Sequence, residues 1–255
     1  MNLTGKTIVV SGGASGLGAA TVEMVVANGG HAVILDRNDT AGQALATRFG
    51  AAVDAIGVDI THAPDTVEAV RQIAAARGPI HGLVCTAGIA PAERVISKDG
   101  VQPLEHFEHV VRVNLFGTFN VLRVVAEHLA ANPPDAEGER GVIVMTASVA
   151  AYEGQIGQAA YAASKAGIVG MTLPLAREFA RTGIRVVTIA PGTFDTPLLA
   201  ALPDATRASL GQQVPFPPRL GRPTEFAALV QHIFENVMLN GDTIRLDGAI
   251  RMAPR

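Results

Sequence analysis

Residues 7–36, "TIVVSGGASGLGAATVEMVVANGGHAVILD", decide how the rest of the chain folds. An apolar, β-branched run at 7–11 enters a glycine-rich turn, "SGGASGLG" at 11–18. Leu17, Ala20, Met24 and Val25 then recur at helical spacing until Gly29 and Gly30 stop the pattern. A second apolar run, "HAVILD" at 31–36, closes the unit. Strands that are apolar almost throughout must be covered on both faces, the condition of parallel strands joined by a crossover helix.

Outward from this unit the pattern repeats: "AAVDAIGVD" at 51–59, "HGLVCTAG" at 81–88, "GVIVMTAS" at 141–148, "IRVVTIAPG" at 184–192 and "DTIRLDG" at 242–248, with helical segments between. Right-handed crossovers make this an α/β fold with a single Rossmann-type, doubly wound, parallel seven-stranded sheet and helices on both faces. Ligands of such sheets lie beyond the carboxyl ends of the strands, so functional side chains are expected just after those ends. Two segments break the alternation. "ANPPDAEGER" at 131–140 is polar and predicts a surface loop. Residues 192–223, after the sixth strand, are too apolar for a solvated connection and predict a lid or pocket wall.

Composition narrows the class. A chain of 255 residues with 48% hydrophobic content can bury one sizeable core, so 1–255 is expected to be one domain. A net charge of −3 and scattered Lys and Arg argue against nucleic acid. A single cysteine, Cys85, and a start without a charged and then apolar leader predict a cytoplasmic, reducing setting. No run approaches about 20 apolar residues, so no membrane span is expected.

In the first turn, Gly12 is expected to allow the tight bend, and Gly16 and Gly18 to let backbone approach a pyrophosphate held at the helix N-terminus. The spacing is Gly-x-x-x-Gly-x-Gly, and by itself it would also fit a merely tight turn. Asp36 ends the second strand, where a carboxylate can accept bonds from an adenosine ribose diol and repel a 2′-phosphate, which favours NAD over NADP. Arg37 beside it is the group that could pair with such a phosphate instead. Asp59, after the third strand, is either an adenine-side contact or a turn acid.

Tyr161 and Lys165, in "QAAYAASKAG" at 158–167, share one helix face about 6 Å apart along the axis. A phenol is a poor base at neutral pH unless a cation favours its anion, and Lys165 is such a cation. Ser148 follows the fifth strand at the mouth of the predicted crevice. Asn114 is a polar side chain on an apolar helix; it either caps backbone near a kink at Gly117 or holds a water or the lysine. Tyr152 lies too early for the Tyr161 face and is expected to shape the pocket wall.

Taken together, the glycine turn, Asp36, Asn114, Ser148 and the Tyr161-x-x-x-Lys165 pair resemble the short-chain dehydrogenase/reductase family along essentially the whole chain. "NLFGTFNV", "TASVAAYEGQIGQAAYAASK", "IVGMTLPLARE" and "VPFPPRLG" resemble its 3-hydroxyacyl-CoA dehydrogenase subgroup, whose members also take hydroxysteroids. The resemblance implies NAD-dependent interconversion of a secondary alcohol and a ketone, acyl-CoA or sterol-like, in a homotetramer. It implies Tyr161 as acid/base, Lys165 tuning it and binding the nicotinamide ribose, Ser148 positioning the oxygen, and Asn114 holding a relay water. Implied cofactor contacts are Gly12, Ser15, Gly16, Leu17, Gly18, Asp36, Asp59, Ile60, Thr86, Ala87, Gly88, Tyr161, Lys165, Pro191, Gly192, Phe194 and Thr196.

Two departures accompany the resemblance. Cys85-Thr86-Ala87-Gly88 stands where the family has Asn-Asn-Ala-Gly, and Ser11 where the glycine motif opens on Thr. Ser11 is expected to keep its hydrogen bond, loss of the two amides to loosen the sheet beside the cofactor, and Cys85 to be a small buried apolar residue. The histidines, His106 and His109 included, have no metal-binding spacing, so no metal is expected. The alternatives are an NADPH-linked ketoacyl carrier-protein reductase, disfavoured by Asp36, and an NAD-binding scaffold or sensor, disfavoured by the complete Ser148, Tyr161 and Lys165 set.

Overall fold

The protein is described by a computed structural model over residues 1–98, 100–200 and 203–254, the side chains of Leu198, Ala200 and Asp204 excepted. Ala201 and Leu202, within the expected lid, lie outside the described residues.

Among the described residues nine strands run in chain order: β1 (Thr7–Ser11), β2 (His31–Asp36), β3 (Val53–Gly57), β4 (Ile80–Cys85), β5 (Ile96–Ser97), β6 (Gly100–Val101), β7 (Gly141–Thr146), β8 (Ile184–Pro191) and β9 (Thr243–Leu246). Seven of them form one sheet in the order β3-β2-β1-β4-β7-β8-β9, and β5 and β6 pair in a separate antiparallel hairpin. Every pair in the large sheet is parallel. The chain first winds outward from β1 to β3, then restarts at β4 and winds the other way. The carboxyl ends of β1 and β4 therefore flank the point where the winding reverses, and a crevice opens there.

Helices cover both faces: α1 (Gly16–Ala27), α2 (Asp39–Phe49) and α10 (Pro223–Glu235) on one, α3 (Ala63–Arg77), α5 (Thr118–Ala130) and α7 (Ala159–Phe179) on the other. Strand residues of alternate parity feed the two cores. Val9, Leu83, Ile143 and Val186 pack with α3, α5 and α7, while Ile8, Val84, Val142 and Val187 pack with α1 and α10. That two-sided burial is why the strands carry no polar alternation.

The short helices are α4 (Leu104–Val111), α6 (Ala150–Glu153), α8 (Pro197–Ala200) and α9 (Asp204–Gln212). Between α4 and α5 the chain widens into a π-helical segment, Arg112–Gly117, where a kink near Gly117 was expected. The 131–140 segment departs from a plain surface loop. Asn132 donates to the Ile80 and Arg140 carbonyls at 2.6 and 3.0 Å, and Glu139 is buried against Arg185.

Candidate active site

A cleft of about 1060 Å³ opens at the carboxyl edge of the sheet. Its floor is the turn from β1 into α1. Gly12, at φ +75°, would place a Cβ 2.5 Å from the Ala87 amide nitrogen, and Gly16, at φ +54°, faces Thr196 and Pro197. A side chain on Gly18 would strike the Gly12 carbonyl and the Thr86 hydroxyl. Gly18 is thus demanded by packing within the turn, and it also lines the cleft where a part in clearing a pyrophosphate was expected. No side chain caps α1, so its first amides are without a capping side chain and face the cleft.

Asp36 lines the cleft with its carboxylate already oriented: the Ala14 amide donates to Oδ2 at 3.1 Å and the Asn38 amide to Oδ1 at 2.9 Å. Asp59 is a turn acid, and it stands where an adenine-side contact was expected. Its Oδ1 accepts from the Thr61 amide at 2.8 Å as a turn acid, and it lines the cleft. That backbone bond, with the Thr61 hydroxyl and Arg37 and His62 adding to it, holds its carboxyl below the ordinary value against a cost of burial. The Arg37 guanidinium therefore acts on Asp59 as well as standing beside Asp36.

Helix α7 carries Tyr161 and Lys165, the Lys165 Nζ lying 5.8 Å from the centre of the Tyr161 ring. The ammonium donates to the Thr146 carbonyl at the end of β7, at 2.8 Å. Burial pushes Lys165 down to about 8. Burial also raises the Tyr161 phenol above its ordinary value, and the Ser148 hydroxyl pulls it back. The Ser148 hydroxyl therefore favours the phenolate, beside the expected part of Lys165. Ser148 Oγ also accepts from the Ala150 amide at 3.1 Å, which fixes it at the start of α6.

Asn114 is fully buried and does not line the cleft. Its Oδ1 accepts from the Ile89 amide at 2.8 Å, and its Nδ2 donates to the Ile89 carbonyl at 2.9 Å and the Ser164 hydroxyl at 3.0 Å. Ser164 in turn donates to the Tyr161 carbonyl at 2.7 Å. The amide thus ties the loop after β4 to the helix bearing Tyr161 and Lys165, and makes no bond to the lysine itself. Its own carbonyl accepts from the Thr118 hydroxyl at 2.7 Å, across the π-helical segment.

Every cofactor-side residue expected from the sequence, Gly12 through Thr196, lines this one cleft. At Cys85-Thr86, where loosening was expected, the Thr86 hydroxyl donates to the Ser11 carbonyl at 2.7 Å and bridges β4 to the glycine turn, a brace in place of the missing amides. The Ser11 hydroxyl, in contrast, is buried and makes no hydrogen bond to nitrogen or oxygen, against expectation, and acts only on the Cys85 thiol. Cys85 is buried, which pushes its thiol up to about 12. Tyr152 is 49% exposed, outside the cleft, with the Arg245 guanidinium 5.4 Å from its ring centre. It is not a pocket wall. The described part of 192–223 does line the cleft, through Thr193, Leu199, Thr206, Leu210 and Gln213. Sequence reasoning missed Gln155, Gln158, Arg112 and Met252, which line it as well. Both glutamines sit inside the longer quoted stretch "TASVAAYEGQIGQAAYAASK" and could have been found there; Met252 carries no local signal.

The short chain dehydrogenase family matches residues 6–207 of the chain. The 3-hydroxyacyl-CoA dehydrogenase type-2 of Bos taurus is 52% identical over 255 residues, covering 99% of this chain and 98% of that one. Among solved structures, 3-hydroxyacyl-CoA dehydrogenase type-2 from Mycobacterium avium superposes with a TM-score of 0.94 at 42% identity, over 98% of each chain. The 3-ketoacyl-(acyl-carrier-protein) reductase from Brucella melitensis, complexed with NADH, gives 0.88 at 28% identity, over 98% of this chain and 100% of that one.

Proposed function

The chain belongs to the short-chain dehydrogenase family and is an oxidoreductase, and on that premise we propose that it interconverts 3-hydroxyacyl-CoA and 3-oxoacyl-CoA with NAD. The observation that carries this reading is the convergence of Ser148, Tyr161 and Lys165 on a cleft whose floor is an uncapped helix N-terminus and whose far wall is Asp36. Those residues fit a dinucleotide: amides for the pyrophosphate, a carboxylate for the adenosine ribose, and a buried ammonium for the second ribose. Bound there, the oxidised nicotinamide supplies a hydride acceptor and a positive charge beside the phenol.

The chain's own residues handle the proton. Ser148 donates to the substrate oxygen and holds it against Tyr161. The Tyr161 oxygen takes the hydroxyl proton as the carbinol hydrogen departs as hydride, and returns it in the reverse direction. Lys165 holds positive charge one helical turn away, and Asn114 acts through Ser164 by fixing helix α7. A hydroxysteroid is a further substrate of the same chemistry, given a cleft of about 1060 Å³.

A carrier-protein reductase is the second reading, on the likeness to the Brucella reductase, whose own structure holds NADH; its NADPH-linked form rests on the family resemblance alone. Asp36 weighs against it, since a carboxylate facing a 2′-phosphate costs several kcal/mol. The deciding measurement is kcat/KM for 3-oxoacyl-CoA reduction with each cofactor. NADH is expected to be preferred roughly a hundredfold or more, since each 1.4 kcal/mol is about tenfold, and equal values would transfer control to Arg37. Tyr161→Phe is expected to keep NADH affinity and lose on the order of 10²- to 10⁴-fold in turnover; near-normal turnover would remove Tyr161 from the chemistry.

A cytoplasmic homotetramer belongs to the same reading. Among the described residues no helix is long and apolar enough to cross a membrane.

A further inference from the structure

Beyond β9 the chain folds back onto the loop that joins Ser148 to Tyr161. Met252 lines the cleft beside Gln155, and its amide donates to Glu153 Oε2 at 3.1 Å. Two further bonds fasten the same stretch: Ile156 donates its amide to the Pro254 carbonyl at 3.0 Å, and Gln155 Nε2 to the Ala253 carbonyl at 3.0 Å. Glu153, on α6, does not itself line the cleft. Its carboxylate receives Arg245 Nη1 at 2.9 Å and Nη2 at 3.3 Å, with Arg251 Nε at 3.4 Å. Arg245 also reaches the Ile250 carbonyl at 3.1 Å and Asp247 at 2.7 Å. One carboxylate thus gathers the end of β9 and the segment after it against the catalytic loop.

Resting on the reading above, we infer that residues 247–254 form a fixed wall of the substrate half of the cleft, in which Met252 selects substrate size and Glu153 is the positioning residue that holds the wall. The Met252 side chain offers no strong hydrogen bond, so its contribution is shape, and its backbone is pinned from the catalytic loop. An apolar wall discriminates by the methylenes it admits. Removing either the side chain or its anchor should relax the same limit.

The test compares kcat/KM for a straight-chain 3-oxoacyl-CoA series of increasing length, with NADH, in the full chain and its variants. Met252→Ala is expected to raise the long-to-short ratio about tenfold or more, chiefly through KM, with NADH affinity unchanged. Glu153→Ala should shift the ratio in the same direction, and Glu153→Gln, which keeps an acceptor for the Met252 amide, should shift it less. The double variant Met252→Ala with Glu153→Ala should move the ratio no further than Met252→Ala alone, because the two act on one wall. An unchanged ratio in Met252→Ala overturns the inference. So does a Glu153→Ala effect that lowers kcat equally at all lengths or adds fully in the double variant. If the parent turns over no acyl-CoA, the substrate class proposed above fails. The same variants are then compared for turnover and binding of straight-chain secondary alcohols of increasing length, where the same shift is required and its absence defeats the wall.

Discussion

Lys165 shows what the site costs at the scale of a residue. Its ammonium is buried and bonded to the Thr146 carbonyl, and burial brings its pKa from 10.5 to about 8. The unfolded chain keeps the proton up to 10.5 while the folded one releases it near 8, so between these values the unfolded state binds more protons and stability rises with pH. Below 8 the full cost of the buried charge stands. Lys165→Met retains most of the stem without the charge. In urea unfolding of the cofactor-free protein near pH 7, that variant should exceed the parent by on the order of 1–3 kcal/mol. The advantage should shrink as pH climbs from 8 towards 10.5; a difference independent of pH would mean that the ammonium is compensated in the fold. The pairing of Tyr161 with Lys165 was legible because it is local, four residues on one helix face. The part of Asn114 was not, because Ile89 and Ser164, its partners, are 25 and 50 residues away.

At the scale of elements, the seven long strands were legible because two-sided burial removes polar residues from them, and that is a one-dimensional signal. β5 and β6 left no such trace, being two residues each and exposed. The π-helical segment left only Asn114, since an extra residue per turn changes no composition. Element packing also explains a glycine that the strand pattern treats as a defect. Gly82, within β4, would place a Cβ 2.5 Å from Phe234 Cε1 of α10, and Phe234 is fully buried. The missing side chain is what lets α10 lie on the sheet. Gly82→Ala should therefore lower stability by about 1–3 kcal/mol, although alanine is no worse than glycine as a strand former. Chemical denaturation decides it: a neutral or stabilising result would show that Phe234 can turn aside at little cost.

At the scale of the whole molecule, the exposed apolar side chains fall on more than one face. Phe116, on the π-helical segment, is 58% exposed, Phe119 on α5 is 44% exposed and Leu173 on α7 is 43% exposed. After α10, Met238 is 89% and Val237 44% exposed. Single exposed apolar groups are ordinary on a monomer, but two faces that each met their own copy would generate a tetramer with mutually perpendicular two-fold axes. That is the physical ground for the proposed homotetramer. The first face lies on the π-helical segment, α5 and α7, and α7 carries Tyr161 and Lys165, so its loss should be felt at the site. Phe116→Glu combined with Phe119→Glu should leave a species of half the parent mass or less by light scattering, because charges in an apolar interface bring desolvation and mutual repulsion. Turnover should fall with it. On a free surface the same pair of changes would be nearly silent, within about 0.5 kcal/mol each. An unchanged mass with unchanged turnover would therefore show that this face is not where copies meet.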